Sequence, residues 1–250
     1  MIRILVDSSS DYLMEEIKEK HLELAPIGIA IGDETYFEGQ NLERDRFYEM
    51  LKESRAFPQT SQPSPQEFLD IFKDAKENHD DLVCILLSSA LSGTYQSAVL
   101  AKQMVGYERI FLIDSLSATF NIKIMADYAL ELAEKKKTAE EIVETIEAMK
   151  SKVKVYAALD TLEYLARGGR ISKTTAAIGQ LANIKPIITV SEQGEVTLLG
   201  KALGKNKAIS QILQYLGELE IDSRFPVYAI YSYGTKNCEH FQEKLSQAGV

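Results

Sequence analysis

The chain predicts a two-domain α/β protein. An N-terminal α/β domain, residues 1–150, holds a mostly parallel sheet between two layers of helices. A C-terminal α+β domain, residues 151–250, is built on a largely antiparallel sheet. Three observations predict this. Short apolar runs alternate with amphipathic helical patterns through the first half, the signature of a parallel sheet covered on both faces. After residue 150 strand-like runs come closer together, and two are joined by Glu192-Gln193-Gly194, which reads as an antiparallel hairpin. The 250 residues, 45% hydrophobic and 26% charged, suffice for two small domains with their own cores.

Residues 2–6 form a short buried strand, and residues 12–21 a helix capped from the Ser8–Asp11 turn. Residues 25–31 are a second strand, and residues 33–41 a hairpin or short edge strand. Residues 47–54 and 65–76 are helices, the latter opening on Pro65, where proline fits the first turn. The run Leu82-Val83-Cys84-Ile85-Leu86-Leu87 is a buried strand leading to helix 95–105. Strand 110–113 leads through Asp114-Ser115 to helix 122–136, and helix 139–149 closes the domain.

In the second domain, residues 153–159, 185–191, 195–201 and 225–231 read as strands. Residues 161–166, 172–181, 205–219 and 237–247 read as helices. Gly249 is a natural helix stop and Val250 would open a further strand, so the fold is expected to end one strand and loop short.

The net charge of −9 argues against a generic partner of nucleic acid or anionic membrane. No run approaches the length of a membrane span, which leaves only transient contact with a membrane surface. The amino terminus is too short for a signal-peptide core, and the expected compartment is the cytoplasm. Cys84 and Cys238 form no C-x-x-C pair, and three scattered histidines offer no metal-ligand spacing, so no metal or cofactor is expected.

Two hydroxyl-rich turns carry the chemistry, Phe57-Pro58-Gln59-Thr60-Ser61-Gln62-Pro63-Ser64 and Ser88-Ser89-Ala90-Leu91-Ser92-Gly93-Thr94-Tyr95. Each precedes a helix, whose first amides and dipole favour an anion. Neither holds Lys or Arg, which favours a carboxylate over a phosphate. The alternative is that Thr60, Ser61 and Ser92 are plain helix caps. Asp7 and Asp114, at two strand ends, are best explained as caps of their own turns. Ser92 occupies the place of a nucleophile elbow, yet the Gly-x-Ser-x-Gly pattern and a partner base are both missing. The run Gly200–Lys205 has the wrong spacing for a phosphate-binding loop. Arg167-Gly168-Gly169-Arg170 reads equally as a phosphate grip or a tight turn with solvated charges.

In order along the chain, Asp7-Ser8-Ser9-Ser10-Asp11, Thr60-Ser61-Gln62-Pro63-Ser64, Leu91-Ser92-Gly93-Thr94-Tyr95-Gln96-Ser97-Ala98, Leu165-Ala166-Arg167-Gly168-Gly169-Arg170-Ile171 and Lys185-Pro186-Ile187-Ile188 resemble the DegV family of bacterial fatty-acid-binding proteins. The resemblance implies a non-catalytic lipid-binding subunit with one long-chain fatty acid in a tunnel between the domains. It implies that Thr60, Ser61, Ser92, Gly93 and Thr94 hold the carboxylate and present it to the catalytic subunit of a partner fatty acid kinase. It implies that Arg167 and Arg170 help dock that kinase. A stand-alone carrier or sensor of another amphipathic acid is the competing expectation. Two departures stand out. Phe120-Asn121-Ile122-Lys123 replaces a Gly-x-Gly common in such proteins, and their usual C-terminal His-containing loop is missing.

Overall fold

Ile4 and Val6 point to one side of their strand and Leu5 to the other, and all three are buried. The same holds for Val83 and Ile85 against Leu82, Cys84 and Leu86. Apolar residues on both faces require a covering layer on each, and the computed structural model supplies both. It describes every residue except 39, 55, 173–174, 176–182 and 249–250.

Strands β1 (Ile2–Asp7), β2 (Glu23–Ala25), β6 (Asp81–Leu86) and β7 (Ile110–Asp114) form a parallel sheet in the order β2-β1-β6-β7. Its registers run from Ile2 opposite Asp81 to Val6 opposite Ile85, and from Leu82 opposite Ile110 to Leu86 opposite Asp114. Helices α1 (Met14–Glu19), α5 (Phe120–Glu134) and α6 (Ala139–Met149) cover one face through Ile17, Ile122, Met125 and Ile142. Helices α3 (Pro65–Glu77) and α4 (Thr94–Val105) cover the other through Phe68, Phe72, Ala98 and Ala101. The fold is the expected three-layer α/β arrangement, joined by separate antiparallel sheets.

The expected strand 25–31 is two strands. Pro26 has no amide to donate, so the ladder stops at Ala25 and resumes at β3 (Gly28–Ile31) in another sheet. There β3 lies between β4 (Glu34–Phe37) and β5 (Gln59–Ser61), both antiparallel to it. The helix expected over 12–21 starts only at Met14, because Leu13 before it is extended (φ −74°, ψ 152°) and serves as its N-terminal flank. Helix α2 (Arg44–Glu53) follows β4.

Contacts divide the chain into one unit of Met1–Val153 with Glu192–Glu195, and another of Lys154–Ser191 with Val196–Val250. In the second unit β9 (Ile184–Val190) lies between β8 (Tyr156–Ala158) and β10 (Val196–Leu203), all antiparallel. Helix Lys205–Gly217 seats Ala208 and Ile212 on Ile187 and Ala202 of that sheet. The strand expected over 225–231 is absent from these ladders. Its Val227, Tyr228, Ile230 and Tyr231 are 37–58% exposed. β-propensity describes a fit to a pleated surface and forms no strand without a neighbour. Cys238 of helix Lys236–Ala248 instead donates to the Ala229 carbonyl at 3.5 Å. The expected helix 172–181 falls largely outside the described residues, as do Gly249 and Val250.

Phe72 is fully buried where α3, α4 and the sheet meet. Phe72→Ala should cost about 3–5 kcal/mol in urea denaturation. A loss below about 1 kcal/mol would show that this layer is not packed as described.

Candidate functional site

The chain leaving β1 enters α1 on one face of the sheet, and the chain leaving β6 enters α4 on the other. Adjacent strands whose connections diverge leave a crevice beyond their carboxyl ends, the usual ligand position in such sheets. Asp7 is the last residue of β1, at that edge of the sheet. Its buried carboxylate accepts from the Leu87 amide at 2.6 Å, from the Ser9 amide at 2.9 Å and from the Ser9 hydroxyl. Burial pushes the Asp7 carboxyl above the usual range, and these hydrogen bonds pull it back. Asp114 at the end of β7 accepts from the Leu116 amide and the Ser89 amide, each at 3.1 Å. Both aspartates therefore cap their own turns, as expected, and each also ties down the segment after β6.

Ser88 organises that segment. Its hydroxyl donates to the Gly194 carbonyl at 2.9 Å and accepts from the Ala90 amide at 3.3 Å, while its carbonyl receives the amides of Leu91 and Ser92. Gly194 has φ +80°, and a Cβ there would lie 2.1 Å from the Ser88 hydroxyl oxygen. Neither role is visible in the sequence, where Gly194 reads only as a turn residue.

At the start of α4 the Ser92 hydroxyl accepts from the Thr94 amide at 3.3 Å and lies 2.9 Å from the Thr94 hydroxyl. Gly93 is the first flanking residue and Thr94 is buried. The amides of Tyr95 and Gln96, in the first turn, have no acceptor within their own helix. This end of the helix offers hydroxyls, amide N–H groups and the positive end of the dipole, a set that suits a carboxylate.

Thr60 and Ser61 are not turn residues but lie on β5, Thr60 opposite Ile29 and Ser61 opposite Gly28. Both are exposed, and their hydroxyls have no hydrogen-bond partner among the described residues. The cap of α3 is Ser64, whose hydroxyl accepts from the Glu67 amide at 3.3 Å while Glu67 accepts from the Ser64 amide at 2.6 Å. The N-cap of α4 is Gly93, without a side-chain cap, so none of Thr60, Ser61 and Ser92 is itself a helix cap; Ser92 makes only a local turn bond to the Thr94 amide.

The two hydroxyl-rich segments are neighbours. Helix α3 packs beside α4, and Gln62, next to Ser61, donates from Nε2 to the Ser97 hydroxyl at 2.9 Å. Its amide lies directly over Gly93, where a Cβ would come within 1.9 Å of Oε1. Thr60 and Ser61 are thus fixed beside the Ser92–Thr94 turn. Arg167 and Arg170 lie in the second unit, exposed, at the end of α7 (Glu163–Arg167) and in the turn after it. Arg167 pairs with Glu163 at 3.1 Å, and the Arg170 guanidinium donates to the Gly168 carbonyl.

Among the described residues no group of three or more His, Cys, Asp or Glu could hold a metal ion, and no helix is long and apolar enough to cross a membrane.

A family model described as "Uncharacterised protein, DegV family" matches residues 1–249. The DegV domain-containing protein TTE1491 of Caldanaerobacter subterraneus subsp. tengcongensis is 38% identical over 221 residues, 88% of this chain and 78% of that protein. A Thermus thermophilus DegV family protein whose solved structure concerns fatty acid binding superimposes with a TM-score of 0.79 at 31% identity, over 86% of this chain and 76% of that one. The Streptococcus pneumoniae fatty acid kinase (Fak) B3 protein loaded with linoleic acid gives a TM-score of 0.81 at 25% identity, over 99% of this chain and 88% of that one.

The turn after β1 also carries a pH dependence. Burial pushes the Asp11 carboxyl from its ordinary 3.8 up to about 6, against the opposing pull of Arg44. Between those values the folded protein keeps a proton that the unfolded chain has released. Folding stability contributed by Asp11 is therefore present at low pH and lost as pH rises from about 4 to about 6. In Asp11→Asn that fall should shrink, as read by urea midpoints at pH 4, 5, 6 and 7; an unchanged pH profile would contradict the assignment.

Proposed function

The chain belongs to the DegV family, and we propose that it binds a long-chain fatty acid whose carboxylate is held by Thr60 and Ser61 on β5 and by Ser92, Gly93 and Thr94 at the start of α4. One observation carries this reading. Two exposed hydroxyls without internal partners are fixed beside a cation-free helix start at the carboxyl edge of a parallel sheet. Solved neighbours that hold fatty acids support it, among them a stearic acid-binding protein from Eubacterium ventriosum and the linoleic acid-loaded Fak B3 protein.

The energetics divide between the two ends of the ligand. Burying about fifteen methylenes at about 0.8 kcal/mol each gives roughly 12 kcal/mol of gross transfer energy. Ordering the chain and losing its free motion offset much of that. The acyl chain supplies affinity, and the hydroxyls set polarity and register. Neutral donors hold a carboxylate without the strong electrostatic grip of an arginine, so its oxygens stay available as nucleophiles.

That availability is the second part of the proposal. The protein presents the carboxylate to the catalytic subunit of a fatty acid kinase, which transfers phosphate to it; this chain contributes binding and no catalysis. The hydroxyl partner of Ser92 is Thr94 rather than a base, which speaks against hydrolysis at that serine. Arg167 and Arg170, exposed around a glycine pair, are the proposed docking residues.

Ser92→Ala and Thr60→Ala should each weaken fatty acid binding about ten- to a hundredfold, the loss of one charge-assisted hydrogen bond. Because they share one carboxylate, the double variant should lose less than the product of the two. Titration of a fluorescent fatty acid reads this, and unchanged affinity in both singles would remove them from the site. Arg170→Ala should leave fatty acid affinity intact while acyl-phosphate formation by the partner kinase falls about tenfold or more. If lipid binding itself collapses, Arg170 belongs to the pocket or the fold.

A further inference from the structure

We infer that Gln62 is a positioning residue of the proposed carboxylate site, a clasp that sets the separation between the Thr60 and Ser61 hydroxyls and the Ser92–Thr94 turn; the inference rests on that site being the ligand site. The hydroxyls stand on two supports. Thr60 and Ser61 belong to the sheet β4-β3-β5, and Ser92 to the turn after β6 in the parallel sheet. A carboxylate held from both sides is sensitive to any change in their spacing.

Gln62 bridges the supports at the residue after β5. Its backbone is held on one side by the β3–β5 ladder and on the other by buried Pro63 and the capping box of Ser64 and Glu67. Its side chain reaches into α4, where Nε2 donates to the hydroxyl of Ser97, a residue only 1% exposed. The amide then lies against Gly93, where a Cβ would stand 1.9 Å from Oε1, 2.6 Å from Cδ and 2.8 Å from Nε2. Gly93 has φ −76°, a conformation open to every residue. The absence of a side chain at position 93 therefore leaves room for the Gln62 amide and is not required by the backbone. This separates two effects that usually coincide. A methyl group at position 93 need not strain the helix, yet it must push the clasp aside.

The test combines affinity with an exchange measurement that needs no ligand. Gln62→Ala, Ser97→Ala and Gly93→Ala should each weaken hexadecanoate binding about tenfold, while the melting transition moves little. Gln62→Ala combined with Ser97→Ala should bind no worse than either alone, since both break the same contact. In the lipid-free protein the three variants should speed amide hydrogen exchange at residues 59–62 and 92–97 and leave the β1 and β6 amides protected. Wild-type affinity in Gln62→Ala and Gly93→Ala would overturn the clasp, as would additive losses from Gln62 and Ser97, or losses that simply track melting. If the wild-type chain binds no fatty acid, the site reading fails and the ligand role of Gln62 fails with it, while the exchange data still decide whether the clasp exists.

Discussion

A buried carboxylate at the end of the first strand holds this structure's working edge together. Asp7 receives the Leu87 amide across the boundary between β1 and β6, adjacent strands from which the chain departs toward opposite faces. Diverging connections leave two strand ends with no shared helix to pin them, and a buried anion needs donors on every side. Each requirement satisfies the other. With Leu87 fixed, Ser88 is placed to receive the next amides, and those amides shape the turn that delivers Ser92 to the start of α4. Removing one partner of such a buried set costs more than the net worth of its bonds, because the remaining groups stay dehydrated.

The carboxylate site proposed on this edge would use geometry in place of charge. The protein carries nine more acidic than basic charges, and the segments that converge at the crevice contain no lysine or arginine. Neutral hydroxyls and a helix N-terminus can orient a monocarboxylate without binding small anions strongly, so the apolar tail has to contribute the affinity. This gives a selectivity rule: a short-chain acid lacks the transfer energy, and an alcohol of equal length lacks the charge that the hydroxyls and amides recognise.

The sequence revealed most where burial dictates residue type. Leu82 to Leu86 is apolar without a break because both sheet faces are covered, and its alternation across the faces is what the structure contains. The start of α4 was legible for a similar reason, since Ser92, Gly93 and Thr94 have the local chemistry of a helix entry. What was hidden depends on distant partners. β5 is Gln-Thr-Ser, three polar residues that become a strand only because β3 offers a free edge. Residues 225–231 show the converse, strand-forming side chains without a ladder among the described residues. Ser88 with Gly194 lies 106 positions apart in the chain, and Gln62 with Ser97 lies 35 apart, so no local pattern announces either contact. Two missed features did have a local signal: Pro26, a residue unable to donate inside a run read as one strand, and Ser64-Pro65-Gln66-Glu67, the capping box of α3.

The central claim is that a fatty acid carboxylate rests on the amides and hydroxyls at the start of α4. A nitrogen–proton correlation spectrum of the labelled protein, recorded during titration with hexadecanoate and separately with hexadecanol, tests it most directly. Hexadecanoate should move the amide protons of Thr94, Tyr95 and Gln96 downfield, as acceptance by an anion requires, and hexadecanol should leave them nearly in place. Equal shifts with both ligands, or shifts confined to residues away from α4 and β5, would contradict it.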